Sequence, residues 1–571
     1  MIFNRRRFLG DGTQLVAALA TGPFLSALFG CSRRDDSGSG RVATVQARPA
    51  PSYRPADVCG GASRRPRANA VPEPARVPLH PDKLARFVDP LPIPPVLVAE
   101  GTRPDPHDEK SLIPYHRIAM RETPIAIHRD VPPTMFWTYG GVFPGPTLEA
   151  RSGKPILVEW VNELPTKHCL SIDHTLCGAS ADRPDVRAIV HLHGGRVPPD
   201  SDGYPENWYP PGKSLTSYYP NRQDATTLWY HDHAMGIERL NQYAGLFGAY
   251  VIRDDVEDAL DLPRGEHEVP LMLCDRSFNA DGALHYPTSG DPDAPWIPEF
   301  FGDALLVNGK LFPFLEVEPR KYRFRVVNAS NSRFFYLSLS NDRGFHQIGT
   351  DQGLLPAPVP MKSVTVSPGE RVDLVVDFSA ARNTKLVLKS QAFELMQFRV
   401  KDVDKVHEKP LPGALRKMPP LAVASAVKTR RLALREYEGA GHRMLMLLDG
   451  KRFAEPVSEK PVLDSVEIWE LVNTTEDTHP IHLHLVRFRI IERQRFDDDA
   501  FLTTGKVTLL PGLVPPDPGE AGWKDTVRAD PGLVTRILVR FEGYTGRYLW
   551  HCHLLEHAAS EMMRPFEVVP A

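Results

Sequence analysis

Three stretches of the chain carry the same alternation of apolar and polar positions, and each closes on Val-Asn before a turn. Leu148, Glu149 and Ala150 lead through a glycine turn into Ile156-Leu157-Val158-Glu159-Trp160-Val161-Asn162. Leu315, Glu316 and Val317 lead into Tyr322-Arg323-Phe324-Arg325-Val326-Val327-Asn328. Val462, Leu463 and Asp464 lead to Glu467-Ile468-Trp469-Glu470-Leu471-Val472-Asn473. Successive side chains of a strand point to opposite faces, so the alternation predicts half-buried strands. The three asparagines lie 166 and 145 residues apart, a spacing that accommodates one β-sandwich per copy. Val364 to Val366, Val372 to Val376 and Leu386 to Leu388 are further β-rich runs bounded by turn residues. The pattern predicts an all-β chain of three sandwiches over 81–255, 256–402 and 429–571. Linkers are expected near 256–268, which is acidic, and over 403–428, which is rich in Lys and Pro.

Composition agrees. A chain of 571 residues is too long for one ordinary core, and 56 prolines with 41 glycines suit short strands and turns better than long helices. A net charge of −3 gives no reason to expect a nucleic-acid partner. The first 31 residues read as a targeting segment. Arg5, Arg6 and Arg7 precede an apolar run, Leu15 to Gly30, that is shorter than the roughly 20 residues a membrane span needs. The arginines resemble a twin-arginine signal, which predicts export to the periplasm or cell envelope. Leu28 to Cys31 resembles a lipoprotein cleavage box with Cys31 as the lipidated residue. A permanent membrane anchor is the alternative. Residues 32–80, rich in Pro, Arg, Ala and Gly, read as a flexible tether. Of the six cysteines, Cys169 and Cys177 form the one close pair, either a disulfide or two buried thiols.

Ten of the 21 histidines fall into four clusters: His191 and His193; His231 and His233; His479, His482 and His484; and His551, His553 and His557 around Cys552. On a strand, residues i and i+2 share a face, so each His-x-His offers two imidazoles to one metal region. The first and third repeats each bring four such imidazoles, matching sets for a cluster lodged between two domains. Imidazole suits zinc and copper alike. Cys552, His557 and Met562 follow one another at intervals of five, and His479 can complete a set of two imidazoles, a thiolate and an axial thioether. That set selects copper, because zinc has no use for the methionine. Met563 is the alternative thioether. Alternation sends the Cys552 sulfur to one face of its strand and the imidazoles of His551 and His553 to the other. A metal on the sulfur is then linked to metals on its neighbours through a few covalent bonds.

From about residue 85 to the end, these motifs resemble the three-domain multicopper oxidases, within them the bacterial spore-coat laccase and bilirubin-oxidase branch. The resemblance includes Phe143 to Thr147, His191 to Gly195, Ser201 to Glu206, Trp229 to His233, Glu316 to Arg325, Trp523 to Thr526 and the His479 and Cys552 clusters. It implies three cupredoxin-like Greek-key sandwiches and four copper ions. Type 1 copper is expected on His479, Cys552, His557 and Met562, and type 2 on His191 and His482. The type 3 pair is expected on His193, His231, His233, His484, His551 and His553. Asp202 matches the acid that assists proton delivery near the oxygen channel, with a turn aspartate as the alternative. Asp525 is expected either to support the ligands or to cap a loop. The relatives commonly carry an acid directly after the equivalent of His557, where this chain has Ala558. Either oxygen reduction is slower here, or Glu561 takes over the proton transfer.

The resemblance implies a monomeric, laccase-like oxidase. Catalytically, Cys552 and His557 take single electrons from phenolic, aromatic or bilirubin donors at the exposed edge of His557, and dioxygen becomes water at the three-copper cluster. Asp477, two residues before His479, favours cationic or metal-ion donors electrostatically. The competing enzyme reading is therefore a metallo-oxidase acting on Cu(I), Fe(II) or Mn(II), although 12 methionines and no Met-rich insert argue against a dedicated cuprous oxidase. A copper-free envelope scaffold is the non-enzymatic reading. Its representatives lack ligands, whereas every ligand position here is filled.

Overall fold

The computed structural model describes residues 77–571 apart from 292–293, 341, 405–407 and 439–443. The expected signal segment, nearly all of the expected tether, Cys31 and Cys59 lie outside the described residues. The last tether residues are already pinned, since the Leu79 N–H donates to the Phe278 carbonyl at 2.9 Å.

The fold is all-β, built from three pairs of sheets. The first pair joins a five-stranded sheet containing Asp108–Ile125 and Ile156–Asn162 to a four-stranded sheet containing Val190–His193 and Thr226–Asp232. The second pair has seven and five strands between Glu268 and Val400. The third has a six-stranded sheet containing Val466–Asn473 and a four-stranded sheet containing His479–Leu483 and Gly546–Cys552.

The three repeated stretches occupy equivalent places. Each lies parallel to an early strand of its own sandwich and antiparallel to a later one: Ile156–Asn162 between Asp108–Ile125 and Ser214–Tyr219, Lys321–Asn328 between Glu268–Arg276 and Arg371–Asp377, and Val466–Asn473 between Lys428–Glu438 and Leu533–Arg540. The closing asparagine does one job in all three. Its side-chain oxygen accepts from the N–H two residues on, at Leu164, Ser330 and Thr475. Its amide donates to a carbonyl in its own sandwich, at Tyr209, Val366 and Ala529. An asparagine is the natural residue for a turn that must satisfy its own backbone in a buried place.

The acidic connection after Arg253 is not loose. Glu257 is buried and binds Arg323 and Arg325 of the second sandwich at 3.0 and 2.8 Å. The largest apolar core runs through the first and third sandwiches together, from Trp160 and Leu192 to Trp469, Trp550 and Cys552, while the second sandwich has its own core around Phe324 and Phe398. Tyr548 donates to the Val197 carbonyl at 2.9 Å across the first and third sandwiches. The site forms along this shared core.

Candidate metal centre

Strand pairing sets the imidazoles opposite one another. His191 faces His231 across the pair Val190–His193 and Thr226–Asp232, and His482 faces His551 across His479–Leu483 and Gly546–Cys552. The two pairs meet ring on ring: His191 stacks on His484 with centroids 3.7 Å apart, and His193 on His482 at 3.6 Å. The eight imidazoles of these strands and their ends are all buried. They sort into His191, His193 and His482; His193, His231 and His553; and His233, His484 and His551, each set with one nitrogen per ring within 4.8 Å of the others.

The outer nitrogens of six of these rings are occupied. Nδ1 of His191, His231, His482 and His551 lies 2.6, 2.9, 2.9 and 2.9 Å from the carbonyls of Asp202, Asp232, Asp525 and Cys552. Nδ1 of His484 is 2.7 Å from Asp202 Oδ2. A carbonyl oxygen accepts only, so those Nδ1 atoms carry the proton and Nε2 keeps its lone pair. Nε2 of His191, His231, His482 and His484 has no hydrogen-bond partner among the described residues. His193 is turned the other way: its Nε2 lies 3.1 Å from Asp525 Oδ1, and Nδ1 is the atom without a partner. Buried polar atoms left unpaired are costly, and a ring of them with one tautomer enforced is what a metal-binding cage looks like. Burial holds His191, His193, His231, His484, His551 and His553 well below the ordinary imidazole range, and His233 at about 4, so the rings are neutral donors.

The sulfur faces elsewhere. Cys552 Sγ lies 3.5 Å from His479 Nδ1 and 3.9 Å from His557 Nδ1, and those two nitrogens are 3.2 Å apart. The Leu554 N–H donates to the sulfur at 3.4 Å. Between the two methionines the packing is decisive. Met562 lies in the same core as Cys552 and its carbonyl accepts from the Cys552 N–H at 2.9 Å, whereas Met563 packs with Tyr204, Met235 and Phe453. A thiolate, two imidazoles and a neighbouring thioether fit copper, and the all-imidazole cage fits copper as well.

Two supporting acids are built in. Asp202 is fully buried and holds both His191, through its carbonyl, and His484, through its carboxylate, so it is no mere turn residue. Burial pushes its carboxyl well up. Asp525 is likewise more than a loop cap. Its carboxylate takes His193 and the Arg371 guanidinium, with Nη1 at 2.7 Å, and the Gln352 amide at 2.6 Å. Burial opposes its charge, but Arg371 outweighs this and holds the carboxyl well below the usual range.

The His557 ring is not at an exposed edge. It is fully buried, with Nε2 3.3 Å from Glu299 Oε1, so a covering carboxylate stands where an open face was expected. Glu436 Oε1 is 3.9 Å from His479 Nε2, and burial together with Glu299 raises Asp477 to about 7. Glu299 and Glu436 carried no local signal, because they reach the site from distant parts of the chain. Glu561, the candidate replacement for the acid missing at Ala558, is bound to Arg452 Nη1 at 2.6 Å and to the Phe453 N–H. Cys169 is exposed and Cys177 half-buried, and no disulfide joins the two.

The geometry has close counterparts. A family model described as multicopper oxidase matches residues 183–257, and a second of the same description matches 440–571. The chain is 45% identical to a laccase of Bacillus stratosphericus over 514 residues, covering 85% of this chain and 99% of that one. It is 43% identical to a laccase of Bacillus subtilis strain 168 over 513 residues, with the same coverage. Among solved structures, a laccase of Pediococcus acidilactici matches with a TM-score of 0.70 at 27% identity, covering 85% of this chain and 95% of that one.

Proposed function

The chain belongs to the multicopper oxidase family and is a laccase-like, copper-dependent oxidoreductase, and from that premise we propose that it oxidises small aromatic donors one electron at a time and returns water from dioxygen. The class of donor extends from phenols to bilirubin. One observation carries the reading: the Cys552 sulfur lies between His479 and His557 while its neighbours His551 and His553 point into the cage of imidazoles. Four copper ions fit these donors, one held by His479, Cys552, His557 and Met562, one by His191 and His482, and two by the remaining six histidines. Bound copper supplies one-electron acceptance at the sulfur and dioxygen reduction at the cage. The residues do the rest. Asp202, Asp525 and the backbone carbonyls fix ring orientation and tautomer, and the apolar core excludes water from the path between the sites. The basic leader supports export to the periplasm or cell envelope, with Cys31 as a lipid attachment point, and the chain is proposed to act as a monomer.

A second reading has its own support. Glu299, Glu436 and Asp477 gather beside His557 and His479, a setting that suits a cation better than a neutral phenol. The copper-loaded protein should be assayed with a neutral phenol and with Fe(II), Mn(II) and Cu(I) side by side. Faster phenol oxidation, little changed by Glu299→Gln relative to the metal ions, supports the laccase reading. Metal-ion rates that exceed the phenol rate and collapse in that variant overturn it in favour of a metallo-oxidase.

A further inference from the structure

The three Val-Asn turns are built alike, and in each the asparagine oxygen takes the N–H of the residue two positions on: Leu164, Ser330 and Thr475. The first of these has no hydroxyl. The second, Ser330, is buried, and its Oγ has no hydrogen-bond partner among the described residues. The third carries a hydroxyl that lies 2.7 Å from His479 Nε2. A turn that elsewhere only satisfies its own backbone here grips a ring, and that ring stands beside the Cys552 sulfur.

The grip is tightly defined. His479 turns Nδ1 toward Cys552 Sγ, at 3.5 Å, and toward His557 Nδ1, at 3.2 Å. An imidazole that offers Nδ1 to a metal carries its proton on Nε2 and donates it, here to Thr475 Oγ1. The same oxygen accepts the Asp477 N–H at 3.3 Å and sends its own proton to Asn473 Oδ1 at 2.9 Å. A hydroxyl has one donor and two acceptor places, and all three are taken, so its orientation is fixed. Asn473 is anchored in turn, its amide donating to the Asp477 and Ala529 carbonyls at 2.7 and 2.8 Å. Ala529 pairs directly with His479 across the strands, which closes the loop of contacts around the ring. Glu436 Oε1, 3.9 Å from His479 Nε2, is too far to take the proton instead. The other ring differs, since His557 Nε2 faces the Glu299 carboxylate.

We propose that Thr475 is a positioning residue for electron entry. By accepting the Nε2 proton it holds the plane of the His479 ring and strengthens Nδ1 as a donor, and so sets the reduction potential of the copper beside Cys552. A stronger imidazole donor favours the oxidised ion, so the hydroxyl keeps the potential lower than the ring alone would give. The inference rests on His479 and Cys552 sharing one copper.

The test uses the full copper-loaded chain with Thr475→Val, Thr475→Ala and Thr475→Ser. Thr475→Val keeps the shape of the side chain without its hydroxyl, and its blue band should persist. Its affinity for the oxidised ion should fall about tenfold against the reduced ion, which raises the potential by about 59 mV for a one-electron couple. Thr475→Ala, which has no second methyl to accommodate, should rise likewise. Thr475→Ser keeps the hydroxyl and should titrate with the parent. A potential that is unchanged or lowered in the Val and Ala variants, or raised equally in Thr475→Ser, overturns the proposal. A copper-loaded parent without a blue band instead refutes the ligand assignment beneath it.

Discussion

Replacing Asp525 by alanine removes the carboxylate on which three sandwiches converge. His193 comes from the first, Arg371 from the second, and Asp525 itself from the third, and all three side chains are fully buried. The variant leaves the Arg371 guanidinium with backbone carbonyls at Gly369, Thr227 and Asp351 and with the Asp351 carboxylate 3.9 Å away. Those acceptors do not replace a two-point ion pair, and breaking a buried pair from one side costs about 3–5 kcal/mol. Against a typical total of roughly 5–15 kcal/mol that is a large fraction. The same change frees the His193 ring, whose Nε2 then has only the Thr526 hydroxyl at 3.2 Å, and loss of such a support weakens metal affinity about 10–100-fold. Urea unfolding of the copper-free protein, followed by tryptophan fluorescence, reads the first effect; competition with a chelator reads the second. A stability loss below about 1 kcal/mol together with an unchanged chelator curve would refute the claim that this carboxylate is what binds the sandwiches and orients the ring.

The remaining expectations are more local. Met562→Leu should keep the blue absorption and raise the reduction potential, because a weak axial donor is lost; Met563→Leu should leave the potential where it was, and redox titration distinguishes the two. Glu299→Gln should lower the ratio of cationic-donor to neutral-donor rates by about tenfold and flatten its salt dependence, since one charge beside His557 is gone. For Glu238, buried at the start of the helix Glu238–Ala244, the folded-state value of about 8 lies above the ordinary 4.5, so its contribution to stability is fully present in acid and is lost as pH rises through about 8. Glu238→Gln should therefore gain stability over the parent between about pH 5 and 9, by up to about 5 kcal/mol; a pH-independent difference in denaturant midpoints contradicts a raised carboxyl at Glu238.

Much of this architecture is legible along the chain because strand periodicity and metal-ligand spacing are both local signals. The Val-Asn endings mark the three equivalent strands since each asparagine satisfies its own turn, two residues away. The His-x-His pairs are readable because alternation alone puts two rings on one face. What sequence spacing does not carry is contact between distant segments. Glu299 meets His557 from 258 residues away and Arg371 meets Asp525 across 154, and no pattern near either residue announces it. The exposed edge expected at His557 is covered for the same reason. Cys169 and Cys177 look like a pair by proximity along the chain, yet one is exposed and the other packs toward Tyr204, Met235 and Phe453. Spacing favours Met562 over the adjacent Met563, and the packing separates them: Met562 lies in the core with Cys552, and Met563 lies against Tyr204, Met235 and Phe453. Glu238 is silent in the sequence because an acid at the first position of a helix is ordinarily a surface residue favoured by the helix dipole.

The central claim is that one short strand end serves two metal sites, the Cys552 sulfur on one side and the His551 and His553 imidazoles on the other. Metal analysis and a visible spectrum of the copper-loaded protein and of Cys552→Ser test it together. The account predicts an intense blue band and about four copper ions per chain in the parent, and a colourless variant that has lost about one of them. A blue band that survives the substitution, or a variant stripped of all its copper, would contradict it.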